Sequence, residues 1–104
     1  MTREEIIKGN KLIAEFMGEN HHLKNMQFHS SWDWLMPVVQ KIATLGFKVT
    51  LEFEEKPYLN SISIQENSTG EYIEEDYEDM DYEIESDIHL VWFNVVNFIK
   101  WKLQ

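Results

Sequence analysis

His29, Ser30, Ser31 and Asp33 place the residue types of a hydrolytic triad within five consecutive positions. Acyl transfer needs more than types. The base must reach the nucleophile on one side and an orienting carboxylate on the other, roughly in line. Near neighbours along one chain do not present that line, and no strained nucleophile elbow surrounds either serine. Capping of a helix that begins at Ser31 or Asp33 accounts for the serines and the aspartate. His21, His22 and His29 raise zinc next. Structural or catalytic zinc takes three or four convergent ligands, whereas adjacent histidines diverge on a strand or a helix, and no His-Glu-x-x-His pair occurs. These three read as loop histidines, with His29 hydrogen-bonded near the start of the second helix, and His89 reads as a boundary residue of the last helix. There is no cysteine, so thiolate sites and disulfides are excluded. Asp76, Glu78, Asp79, Asp81 and Glu83 offer oxygen ligands, but not at the spacing of a calcium-binding loop and without its central glycine. The expectation is a non-enzyme with no catalytic residues, no metal and no cofactor.

Charge is the stronger signal. The net charge is −10, and residues 71–87 hold ten acidic side chains and no basic ones, so the rest of the chain is balanced. A field of that sign disfavours phosphate backbones and favours basic protein partners. The acidic run also contains Tyr72, Ile73, Tyr77, Met80, Tyr82 and Ile84, an apolar content that purely solvating tails lack. Carboxylates spaced along ordered structure can imitate phosphates. Glu74, Glu75, Asp76, Glu78, Asp79 and Asp81 are the groups expected to meet arginines and lysines, with Tyr77 and Tyr82 as apolar anchors. The plainer alternative is a solvated segment that aids solubility.

The elements that must position these groups can be read from periodicity. Thr2, Arg3, Glu4 and Glu5 form a capping box ahead of a helix over 3–17, with Ile6, Ile13, Phe16 and Met17 on its apolar face and Gly18 as the stop. Residues 19–27 read as loop. A second helix comes next, with Leu35, Val38, Val39, Ile42 and Leu45 as its buried stripe. Pro37 separates its two possible starts: harmless in the first turn if Asp33 caps, an interior interruption that kinks the helix if Ser31 caps. Residues 47–54 alternate apolar and polar as a half-buried strand, residues 60–65 alternate again as its antiparallel return, and residues 67–70 turn. Tyr82, Glu83, Ile84 and Glu85 alternate as a third strand, which makes residues 71–81 an excursion. The last helix starts at Ser86 or Asp87 and carries Ile88, Val91, Trp92, Val95, Phe98, Ile99 and Leu103 at helical intervals.

The order α-α-β-β-β-α, with strands segregated from helices, predicts one small α+β domain: three helices on a two- or three-stranded antiparallel sheet. No apolar run approaches the roughly 20 residues of a membrane span, and there is no signal-like start, which together point to a cytoplasmic protein. Trp32 and Trp34 lie on different sides of a helix, so one is expected in the core and one at the surface. Trp92 fits the apolar stripe of the last helix and Trp101 lies off it.

Two blocks carry a resemblance: FHSSWDWLMPVVQKIATLGF at 28–47 and HLVWFNVVNFIKWKLQ at 89–104. They resemble a group of small, mostly uncharacterised proteins of bacteria and their phages that share an HSSWDWLMPVV block and a closing helix ending in FIKW. Asn94 stands where that group usually has alanine, and the acidic excursion is particular to this chain. The resemblance implies an accessory protein of a mobile element, a class that includes inhibitors of CRISPR effectors. The expected function is therefore a non-enzymatic, anti-CRISPR-like inhibitor. Its acidic surface would occupy the basic nucleic-acid channel of an RNA-guided nuclease, without binding nucleic acid itself. The alternative is an interaction module or structural homodimer that pairs through exposed apolar surface such as that around Trp101; monomer and dimer are both open.

Overall fold

The computed structural model describes residues 2–18, 26–53, 59–76 and 86–103. The order is α1 (Arg3–Met17), α2 (Trp32–Thr44), β1 (Phe47–Glu52), β2 (Ser61–Glu66), β3 (Tyr72–Asp76) and α3 (Asp87–Leu103). The α+β class and the α-α-β-β-β-α order expected from periodicity both hold. The three strands form an antiparallel meander in the order β1-β2-β3.

Helix α1 starts as its capping residues require: the Thr2 hydroxyl accepts from the Glu5 N–H at 3.1 Å. The Glu5 carboxylate accepts from the Thr2 hydroxyl at 3.2 Å rather than from its backbone. Gly18 ends the helix at φ 70°, a left-handed value that costs glycine little. The stripe that α1 buries is Gly9, Asn10, Ile13 and Ala14, with Phe16 and Met17 only half-buried, so a polar side chain occupies its middle.

Helix α2 is capped by the backbone of Ser31, whose carbonyl accepts from Leu35 N–H at 3.0 Å, and the Ser31 side chain makes no capping bond. Of the two starts the sequence allows, this one places Pro37 inside the helix, where it offers no N–H to the Asp33 carbonyl. Leu35, Val38 and Ile42 are fully buried.

The third strand is where the sequence reading needs correction. It is formed by residues 72–76, within the stretch read as an excursion, while residues 82–85 lie outside the described residues. Its register sets Ile73 opposite Ile64 and Glu75 opposite Ile62. Ile62 and Ile64 are fully buried, so that face of the sheet is the inner one. It receives Phe47 and Val49 from β1, Ile73 from β3, and the helices.

Helix α3 is buried on nearly every side, as an apolar helix must be when it lies between layers. It packs on β2 and β3 and carries α1. Trp92 is fully buried against α1, and Phe98 meets Phe16 and Phe47 edge-on at 6.3 and 4.8 Å between ring centroids. Among the described residues no helix is long and apolar enough to cross a membrane.

Candidate protein-binding face

The residues that suggested chemistry are not gathered into a catalytic group. His29 Nδ1 lies 3.0 Å from Asn10 Nδ2, and Asn10 Oδ1 accepts from the Trp92 indole N–H at 2.8 Å. Since an amide nitrogen can only donate, His29 Nδ1 is the acceptor and the ring is neutral with its proton on Nε2. Burial, and secondarily the neighbouring His89, lowers the His29 pKa below its ordinary value, which holds that neutral form. Ser30 and Asp33 are exposed, and the Ser31 backbone caps α2. His29 thus links α1, the segment before α2, and α3, and serves the fold. Among the described residues no three histidine or acidic side chains converge as metal ligands; His21, His22, Glu78, Asp79, Asp81 and Glu83 lie outside them.

The acidic run divides between the two faces of β3. Side chains alternate along a strand, so Ile73 and Glu75 point inward while Tyr72, Glu74 and Asp76 point outward. Glu75 does not reach an external partner. Its Oε1 accepts from Asn97 Nδ2 at 2.7 Å and its Oε2 accepts from Asn94 Nδ2, which ties β3 to α3. Asn94 is fully buried and, among the described residues, its Oδ1 has no hydrogen-bond partner. Glu71 lies 3.9 Å from Lys102 Nζ, which sits 2.6 Å from Glu66. Through that hydrogen bond Lys102 holds the Glu66 carboxyl below the usual carboxylate range. Asp87 Oδ1 accepts from the Leu59 N–H at 2.9 Å and anchors the start of α3. Three of the run's carboxylates therefore serve the fold.

Glu74 and Asp76 remain on the outer face, and Tyr77, Glu78, Asp79, Asp81 and Tyr82 lie outside the described residues. The register adds a residue that composition did not single out. Glu52, Ser61 and Asp76 form one row across the outer face; Thr50, Ser63 and Glu74 form the next; Lys48, Gln65 and Tyr72 form the third. Lys48, Glu52, Gln65, Tyr72 and Glu74 are exposed. From strand geometry, Glu74 and Asp76 are about 7 Å apart along β3, and Glu52 is about 10 Å from Asp76 across the sheet. The first separation is within the screening length of about 8 Å at physiological salt and the second is slightly beyond it, so the three charges reinforce one another most strongly at low ionic strength. Their clustering was legible only through the pairing, because Glu52 is distant in sequence.

The four tryptophans separate as their spacing implies. Trp92 is buried, Trp34 packs half-buried against Phe28 at 5.1 Å between centroids, and Trp32 is exposed. Trp101 is half-buried against Phe98 under the Lys102 ammonium, 4.0 Å from its ring. No protein-family model, curated protein or solved structure matches this chain.

Proposed function

We propose that this chain is a non-enzymatic binding protein whose acidic outer sheet face meets a basic protein surface. The observation that carries the reading is the outer face itself: Glu52, Glu74 and Asp76 in adjacent rows, with exposed Tyr72 at their margin. A preorganised strand face costs less ordering entropy on binding than a mobile acidic tail, and a three-charge field steers a cationic partner. Tyr72 supplies the rigid, amphipathic contact common at interface centres. In the context implied by the resemblance of 28–47 and 89–104, the partner is the basic nucleic-acid channel of an RNA-guided nuclease and the outcome of binding is inhibition. Glu75 takes no part in that contact, because Asn94 and Asn97 occupy its carboxylate.

The test is binding to a purified RNA-guided nuclease over a salt series, with nuclease activity read in parallel. Affinity is expected to fall as salt rises, and the triple variant Glu52→Lys, Glu74→Lys, Asp76→Lys is expected to lose binding and inhibition together. Unchanged affinity in the triple variant would remove the outer face from the mechanism.

A further inference from the structure

The acidic face leaves the outer edge of β1 without a role. β1 is an edge strand, and among the described residues it pairs only with β2. Gly46 C=O accepts from Asn67 N–H at 3.0 Å and Glu52 C=O from Asn60 N–H at 2.8 Å, so the backbone of both residues faces β2. Backbone direction alternates along an antiparallel ladder, which turns the N–H and C=O groups of Phe47, Val49 and Leu51 to the open edge. Their side chains lie on the inner face, yet Leu51 is 42% exposed and Phe53, just beyond the strand, 60%.

Natural sheets guard such edges with charge. β3, the opposite edge, is guarded: Glu74, Glu75 and Asp76 would set like charges against those of a second copy. β1 carries one cation, Lys48, and one anion, Glu52, and is electrically neutral.

We propose that β1 is a homodimer interface, in which two copies pair their β1 strands antiparallel about Thr50 into one continuous sheet. Edge-directed residues must face edge-directed residues, so the twofold axis passes through a residue and not between two. Centred on Thr50, the pairing sets Val49 opposite the partner's Leu51, Phe47 opposite the partner's Phe53, and Lys48 opposite the partner's Glu52. Each unlike-charge and apolar pair occurs twice. Centred on Val49, Lys48 would face Thr50 and Phe53 would lie beyond the partner strand. Centred on Leu51, the strands would overlap only over residues 50–52. The Thr50 register therefore uses the whole middle of β1, matches its charges and covers both exposed apolar side chains. The dimer would set two acidic outer faces on one sheet.

Sedimentation of the purified chain tests this directly. The wild type is expected to be dimeric. Leu51→Pro removes an edge-directed N–H without touching the β2 ladder, and is expected to raise the dimer dissociation constant at least about tenfold. Lys48→Glu is expected to weaken the dimer, and the double variant Lys48→Glu, Glu52→Lys to restore it. Circular dichroism confirms that each variant is folded; if Leu51→Pro is not, the charge exchange decides alone. A wild type that stays monomeric at high concentration overturns the proposal. So does a dimer indifferent to Lys48→Glu, or one that the double variant does not recover. Nuclease binding is read in the variant Glu74→Lys, Asp76→Lys, which leaves Lys48 and Glu52 in place; its loss leaves all these outcomes intact, so the two readings fail separately.

Discussion

Gly9→Ala is the substitution whose cost derives most directly from the packing. By helix propensity alone it should stabilise α1 by up to about 1 kcal/mol, since Gly9 lies in the helix interior. A Cβ built there, however, falls 2.2 Å from Trp92 Cζ2 and 2.5 Å from Cη2, where ordinary contact begins near 3.4 Å. The ring has nowhere easy to go. Trp92 is buried and its indole N–H is held by Asn10 Oδ1 at 2.8 Å. Overpacking of this kind costs roughly 1–3 kcal/mol, and a ring that moved away would also leave the buried Asn10 oxygen unpaired, for about 1–3 kcal/mol more. Subtracting the propensity gain leaves a net loss of about 1–5 kcal/mol. Urea unfolding followed by tryptophan fluorescence should show a lower midpoint with an unchanged slope. The cause can be isolated with Trp92→Phe, which lacks the Cζ2 and Cη2 atoms. In that background Gly9→Ala should cost little or stabilise, giving a coupling energy about as large as the wild-type loss. A Gly9→Ala protein at least as stable as the wild type, or a cycle with no coupling, would refute the packing account.

Two further perturbations probe the divided strand and the half-buried His29. Glu75→Ala should destabilise the fold by about 1–3 kcal/mol, because it leaves the Asn94 and Asn97 amides without an acceptor. Glu74→Ala on the exposed outer face should cost less than Glu75→Ala, so equal effects in paired urea melts would contradict the face assignment. For His29, burial lowers the folded-state pKa below the ordinary 6.5, so the unfolded chain takes up its proton first as pH falls. The contribution is fully present above the unfolded value and is lost as pH drops through it toward the lowered folded value. Urea midpoints measured from neutral to mildly acidic pH should decline over that window, and His29→Gln should flatten the decline; an identical decline in the variant would dissociate it from His29.

The legible parts of the fold are those in which one face is apolar and the other is not. α1 announces itself through Thr2, its periodic Ile6 and Ile13, and Gly18; β1 through strict alternation; α3 through its long apolar run. β3 is hard to place because its pattern is inverted. A carboxylate, Glu75, occupies the inner face and a tyrosine, Tyr72, the open one, so residues 72–76 lack the alternation that 82–85 show. The better signal is connection length. The four-residue turn at 67–70 directly after β2 calls for an immediate return strand, whatever the polarity of the residues beyond it. Asn10 is hidden differently. It sits between Ile6 and Ile13 in the helical stripe, where a polar residue reads as a break in the face. Its partners, His29 and Trp92, come from distant parts of the chain.

The acidic run shows why counting charge overstates a binding surface. An acidic segment that folds as a strand cannot keep all its carboxylates in water, because every second side chain is turned to the inner face. Such a strand is tolerable only where the layer beneath supplies donors. α3 supplies them: Asn94 and Asn97 to Glu75, and Lys102 to Glu66 and, more distantly, Glu71. Asn94 is otherwise an odd choice for a fully buried helical position among Leu90, Val91, Val95 and Phe98, because burying an amide costs free energy and its Oδ1 finds no partner among the described residues. The cost is understandable if the alternation that buries Glu75 is also what orders Tyr72, Glu74 and Asp76 on the open side. Asparagine at 94 and 97 is thus the helical counterpart of the acidic sheet face. Replacing Glu75 and both asparagines together with apolar residues should preserve stability while leaving that face unchanged.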